Sequence, residues 1–343
     1  MNANPVLVEV TRGEMVESRH RGAVALVHSN GQTISGIGDI TRLIYPRSAL
    51  KPLQALHLIE SGAAAAYQLG EREIALACAS HNGEEQHVAA AVQWLNKLGL
   101  DETALECGAH SPRRSFDREA LLSQGKKPGP AHNNCSGKHC GFLTAALHKG
   151  HPPQAYIAGE HPVQQAVMAL IGELAGRSLM DAPHGIDGCG IPVAGIPLEH
   201  LAMAFARFAT GDGLSEGRAS AARQVYDAMV NEPFMVAGTN RWCTNAIEAG
   251  RGAFIVKTGA EGVYCAAIPE AGIGVALKID DGAHRASECA MGAVLSKIPC
   301  LKALFAGSPT ELIRAPVNNV VGKTVGEIAP GPALQELIIT NPG

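Results

Sequence analysis

Three runs near the C-terminal end decide the fold: AFIVKT at 253–258, GVYCAA at 262–267 and IGVALKI at 273–279. They are rich in Val, Ile and Ala, and Gly259-Ala260-Glu261 and Pro269-Glu270-Ala271-Gly272 separate them. Branched side chains suit a pleated backbone and short Gly- or Pro-containing breaks suit reversals, so the pattern predicts consecutive antiparallel strands. The start of the chain repeats the style, with PVLVEVT at 5–11 and GAVALVH at 22–28, the latter followed by the turn signal Ser29-Asn30-Gly31 before 32–38. Both ends are therefore expected to feed one sheet. Between them the apolar residues fall three and four apart over 49–61, 84–98, 137–148, 161–176, 198–211 and 215–230, which predicts helices. A last helix is expected at 284–297, then a tail of short segments ending in the turn-prone Asn341-Pro342-Gly343. The expected class is α+β, with a sheet-plus-helix domain from 1–60 and 245–343 and a mainly helical domain from 61–244, the active site lying between them.

Composition narrows the function classes. The chain has 343 residues, 46% apolar and 17% charged, which excludes a disordered protein and allows two domains. Lys and Arg number 28 against 32 Asp and Glu, a formal net charge of −4, so there is no basic field to attract nucleic acid. The first twenty residues carry Glu9, Arg12, Glu14, Glu17 and Arg19 in place of the apolar core of a secretory signal, and no apolar window of about 18 residues is present. A soluble cytoplasmic protein with no membrane partner is expected. The nine cysteines form an odd set without framework spacing, so they are expected to be free thiols.

Four segments carry chemistry. In YPRSALKP, Ser48 and Lys51 lie three apart, and Pro52 restricts the helix start to this point. A serine becomes a nucleophile when a base takes its proton, which a neutral lysine can do; the alternative is a helix cap followed by a solvated lysine. CASHNG follows the apolar run Ile74–Ala79, read as a buried strand that delivers Ser80 and His81 to its tip, with Asn82 as the cap of the next helix. Lys257-Thr258-Gly259 ends a strand pattern. In this order, SxxK, SxN and KTG match the signature of serine β-lactamases and penicillin-binding proteins. In HNNCSGKHC and HGIDGCG, Cys135 and Lys138 lie three apart and Cys189 sits in a Gly-rich loop. Two thiolates and a third donor can hold zinc with one position open; His139, Cys140 and His184 are rival donors, and buried free thiols are the plain alternative. Asp187 is read as a proton acceptor, a ligand-orienting group or a turn cap. Arg241, in GTNRWCT, is read as a partner for a carboxylate or as a structural arginine.

Taken in order, YPRSALKP, CASHNGE, NNCSGKHCG, HGIDGCGIP, GTNRWCT and KTG resemble the Rhizobium etli type of L-asparaginase, the class 3 asparaginase II family, over essentially the whole chain. The resemblance implies a serine β-lactamase-like fold and a cytoplasmic homodimer that hydrolyses L-asparagine to aspartate and ammonia. It implies a Ser48–Lys51 pair, a second Ser–Lys arrangement that includes Ser80, and an active-site lysine at Lys257. It implies zinc on Cys135, Lys138 and Cys189, and a substrate pocket surrounded by Arg47, His81, Asp187 and Cys243. Ser48 is the preferred nucleophile. A glutaminase, a β-lactamase-like acyl hydrolase and a non-catalytic zinc protein are the alternatives.

Overall fold

The computed structural model describes residues 3–306 and 310–339; the turn expected at Asn341-Pro342-Gly343 lies outside them. The chain forms two compact units. One contains the chain up to Ala49, Ile196–Gly213 and the chain from Ala249 on; the other contains Leu50–Gly195 and Leu214–Glu248.

The first unit is built on an eight-stranded antiparallel sheet. Its order is Ala315–Asn318, Thr324–Pro330, Val6–Arg12, Met15–His28, Ile273–Ile279, Val263–Ile268 and Ile255–Thr258, with Thr33–Ile37 also paired to Met15–His28. The register sets Val275 opposite Leu26 and Lys257 opposite Cys265. Strands from both chain ends thus share one sheet, and the α+β class is borne out. Every residue of Val263–Ile268 is buried, which is why its sequence is a continuous apolar run with no alternation. Helices Leu198–Thr210 and His284–Lys297 both pack on the sheet. The 198–210 helix lies within the 61–244 segment expected to be a helical domain. Eight of its residues are buried, six of them consecutive from Leu201 to Ala206, and the helix packs on the sheet. Ala315–Asn318 and Thr324–Pro330 extend the sheet beyond the strands read from sequence.

The second unit is helical. Its centre is Ser136–His148, buried without a break from Ser136 to Ala146 and packed by Lys51–Glu60, Glu71–Ala77, Glu85–Lys97 and Pro162–Leu174. A helix apolar all round belongs in an interior, and this one carries Lys138, His139 and Cys140. The apolar run before Ser80 is a helix, Glu71–Ala77, where a strand was expected. Six apolar residues suit either state; Ala, Leu and Glu favour a helix, and Glu71 and Glu73 in the first turn complement its dipole. Among the described residues, no single helix is long and apolar enough to cross a membrane.

Candidate active site

In the helical unit, two polar clusters meet the end of helix Glu71–Ala77. Lys51 opens helix Lys51–Glu60, and Pro52 is tolerated beside it because first-turn amides need no intrahelical partner. Lys51 is 1% exposed. Its Nζ donates to the Ala79 carbonyl and lies 3.2 Å from Ser80 Oγ and 3.3 Å from the Asn134 carbonyl. Carbonyl oxygens only accept, so they occupy two of the nitrogen's positions, and the third position serves the Ser80 hydroxyl and the Cys135 thiol, which Lys51 also bonds and draws down. A charged Lys51 donates to Ser80 Oγ through that position; a neutral one accepts the Ser80 proton there. That is the geometry of a lysine base beside a serine.

The second cluster is built of thiols. Asn133 bonds the Cys107 and Gly108 carbonyls through Nδ2 and accepts the Cys135 amide at 2.9 Å, which sets the loop before helix Ser136–His148. A Cβ on Gly137 would sit 2.2 Å from the Leu76 carbonyl oxygen, so glycine alone lets this helix lie flush on the one leading to Ser80. Lys138 Nζ donates to Cys189 Sγ at 2.9 Å. Cys135 and Cys189 share a hydrogen bond, so the pair titrates together, and the Lys51 and Lys138 amines favour one thiolate between them. Burial disfavours the Lys138 ammonium, but Cys135 and Cys189 outweigh it and raise the amine. Among the described residues, no group of three His, Cys, Asp or Glu is placed to hold a metal, and this trio reaches three donors only through Lys138. Two sulfurs and an amine drawn together where helix Ser136–His148 begins suit a soft-ligand cation such as zinc in the state in which the Lys138 amine is neutral.

The rival donors are engaged elsewhere. His139 Nδ1 lies 2.7 Å from the Tyr156 hydroxyl, and burial followed by Lys138 keeps the ring neutral. Cys140 turns toward the Ala91 carbonyl, its thiol pushed up by burial. His184 is exposed on strand His184–Ile186. Asp187 behaves as a turn cap, its carboxylate accepting the Gly188 amide at 2.6 Å, and its charge also supports the Lys138 ammonium. Cys243 is buried in helix Trp242–Gly250.

His81 is locked in one tautomer. Its Nδ1 accepts the Gly83 amide, so Nε2 carries the hydrogen and donates to Ser136 Oγ at 2.9 Å. Burial, then His87 and Lys51, hold the ring neutral, and it stacks on His87 at 4.8 Å. This tautomer leaves no lone pair for the Ser136 proton. Asn82 does not cap the next helix, which begins at Glu85. Its amide instead donates to Glu84 Oε1 and the Thr239 carbonyl and accepts from Arg241, which also donates to the Ser80 carbonyl at 3.1 Å. Arg241 is thus the structural arginine of the two readings. Glu84, Ser136 and Thr239 escaped the sequence reading because a charge or hydroxyl beside a motif looks like ordinary surface.

In the sheet unit, Ser48 is half-buried on the turn Arg47–Leu50, which runs directly into helix Lys51–Glu60. Arg47 has a φ of 54°, a left-handed conformation that costs a non-glycine residue about 1–3 kcal/mol. Lys257 is fully buried on strand Ile255–Thr258, its Nζ 2.8 Å from the Thr258 carbonyl oxygen. A Cβ on Gly259 would lie 2.6 Å from the Pro46 carbonyl oxygen and 3.3 Å from the Ala49 nitrogen. The turn bearing Ser48 therefore rests against the strand end bearing Lys257.

The sequence profile of the L-asparaginase II family matches residues 8–330. The chain belongs to that family. No curated protein matches it. Among solved structures, Mglu in its native form with 4.3 M NaCl is similar at 14% identity and a TM-score of 0.42, over 76% of this chain and 56% of that one. The chain thus spans little more than half the length of that protein. Mglu in its tris and glutamate form is 16% identical with a TM-score of 0.46, over 90% and 65% of the two chains. A β-lactamase from Mycobacterium bovis is 13% identical with a TM-score of 0.38, over 78% and 89%. Likenesses this distant say nothing of what an L-asparaginase II family chain acts on.

Proposed function

We propose that the protein is an L-asparaginase of the Rhizobium etli type, a cytoplasmic homodimer that hydrolyses the side-chain amide of L-asparagine to L-aspartate and ammonia. The observation that carries this reading is the buried Lys51 amine, held by two carbonyls with the Ser80 hydroxyl and the Cys135 thiol beside it. Ser48 Oγ attacks the amide carbon, and its proton passes by way of the Ser80 hydroxyl to a neutral Lys51. The tetrahedral intermediate collapses when the amide nitrogen accepts that proton, relayed through Ser80, and leaves as ammonia. Water then attacks the resulting aspartyl ester, its proton returning through the same lysine to Ser48 as aspartate departs. Lys257 supplies positive charge near the developing oxyanion, and Arg47, His81, Asp187 and Cys243 shape the pocket around the substrate. Cys135, Lys138 and Cys189 would hold zinc, with Lys138 as its neutral amine, and the ion would supply positive charge beside the pocket.

The test is ammonia release from L-asparagine and L-glutamine by the full chain, by Ser48→Ala, Ser80→Ala and Lys51→Met, each with and without a chelator. Asparagine turnover is expected to be lost in Ser48→Ala and Lys51→Met while both variants stay folded. Full activity in Ser48→Ala removes it as nucleophile, and a preference for glutamine reassigns the substrate. A pocket one methylene longer separates the two amides by about 1–3 kcal/mol.

A further inference from the structure

We propose that Glu84 is a positioning residue for the Ser80–Lys51 pair, acting through Asn82 and Arg241 and anchored from outside by Arg114. Glu84 is 6% exposed, and both of its oxygens are occupied. Oε1 accepts from the Thr239 amide at 2.7 Å and from Asn82 Nδ2 at 3.0 Å. Oε2 accepts from the Thr239 hydroxyl at 2.6 Å and from Arg114 Nη1 at 2.5 Å. Four donors fill the acceptor positions of a carboxylate, so Glu84 is a fixed strut with no lone pair left for proton transfer.

The strut sets the orientation of Asn82. With Glu84 Oε1 and the Thr239 carbonyl both demanding hydrogens, the Asn82 amide must present its nitrogen to them and its oxygen the other way. That oxygen accepts from Arg241 Nη1 at 3.1 Å, and the same nitrogen donates to the Ser80 carbonyl at 3.1 Å. Ser80 Oγ lies 3.2 Å from Lys51 Nζ. The path from Glu84 to the Ser80–Lys51 pair therefore runs through hydrogen bonds to the Ser80 carbonyl and through the residue itself to its hydroxyl, and the carboxylate sets the orientation of the Asn82 amide within it. Gly238 leaves the space for it, since a Cβ there would sit 2.4 Å from Glu84 Oε1. Arg114, which also pairs with Asp117 at 3.4 Å, precedes helix Ser115–Ser123, in which no residue is buried. The Arg113 amide bonds the Asn82 carbonyl at 2.8 Å, so this exposed helix is tied to the motif at two neighbouring points.

The proposal rests on the reading that Ser80 and Lys51 work on an amide, and its test separates the two. Glu84→Gln, Glu84→Asp and Arg114→Gln are made in the full chain, and kcat, KM and folded fraction are measured for ammonia release. In parallel, the Lys51 ¹⁵Nζ resonance, assigned by its absence in Lys51→Met, is recorded without substrate. Glu84→Gln is expected to lower kcat per folded molecule about 10- to 100-fold, the effect of a displacement near an ångström, while KM changes less than about threefold. Arg114→Gln is expected to fall in the same direction by less, and Glu84→Asp to recover part of the loss. The Lys51 resonance is expected to shift in Glu84→Gln. Unchanged kcat per folded molecule together with an unmoved Lys51 resonance overturns the proposal. If the unaltered chain releases no ammonia, the functional reading fails and the Lys51 resonance alone decides the positioning role. If Glu84→Gln does not fold, Arg114→Gln and Glu84→Asp carry the same test.

Discussion

Replacing Gly137 by alanine sets two effects of known size against each other. Inside a helix, alanine is favoured over glycine by about 1 kcal/mol, so propensity alone predicts a more stable protein. Contact predicts the reverse. The added Cβ would lie 2.2 Å from the Leu76 carbonyl oxygen, 2.5 Å from Leu76 Cγ and 2.6 Å from the Leu76 carbonyl carbon. Two of those atoms are backbone and cannot rotate away. Restoring ordinary contact requires helices Ser136–His148 and Glu71–Ala77 to separate by roughly an ångström, and overpacking of this kind costs about 1–3 kcal/mol. The net expectation is a loss of up to about 2 kcal/mol, read as a lower urea midpoint with an unchanged slope. The functional loss should exceed the structural one, because the displaced helix ends lead directly to Ser80 and Lys138. A shift of that size at a reacting pair is worth on the order of 100-fold in kcat. A Gly137→Ala protein as stable and as active as the parent would refute the close-packing argument.

Asn133→Ala frees the Cys107 and Gly108 carbonyls and the Cys135 amide, so on the proposed zinc reading the metal retained per chain by elemental analysis should fall about 10- to 100-fold in competition with a weak chelator; full retention would mean that the loop does not set the thiols, and no metal in the parent would end the zinc proposal. The Glu84 carboxyl is held below its ordinary 4.5, since Thr239, Asn82 and Arg114 outweigh the burial that disfavours its charge. A lowered carboxyl stabilises above its unfolded value and loses that contribution as pH falls through the folded one, so the gap in urea midpoint between the parent and Glu84→Gln should be widest near neutrality and close below about pH 4. A gap that is the same at pH 7 and pH 3 would exclude a charged Glu84. Lys257→Met should leave thermal stability within about 1–2 kcal/mol of the parent, because a buried amine is replaced by an apolar chain of similar length, yet abolish ammonia release; an active Lys257→Met protein would take Lys257 out of the chemistry.

What could be read from the chain alone follows from the range of the forces involved. The central strands were legible because they are buried on both faces and bounded by Gly or Pro turns, so composition and punctuation agree. Ala315–Asn318 lies at the sheet edge with half-exposed alternation and a proline, and such a segment reads as a tail. The Leu198–Thr210 helix was legible as a helix but not as a partner of the sheet, because its stripe states only that it covers something apolar. At the site, Ser48, Lys51, Ser80, Cys135, Lys138, Cys189 and Lys257 stood out through their chemistry. The groups that direct them did not. The Ala79 and Asn134 carbonyls that hold Lys51 exist at every position of every chain, and only the fold selects them.

The three buried lysines show why those invisible partners matter. Lys51, Lys138 and Lys257 are at most 3% exposed, and an unpaired ammonium in such places costs far more than any single contact returns. Each is therefore supplied with lone pairs, but of different kinds: two carbonyls, a hydroxyl and the Cys135 thiol for Lys51, the Cys189 sulfur for Lys138 and the carbonyl of its own neighbour for Lys257. A carbonyl can only hold a proton in place, whereas a hydroxyl can give one up and a thiol can become an anion. The acceptors thus sort the amines by what they can do. Lys51 faces a hydroxyl and a thiol, both able to exchange a proton, Lys138 faces a sulfur, and Lys257 is held by a carbonyl beside the turn that carries Ser48.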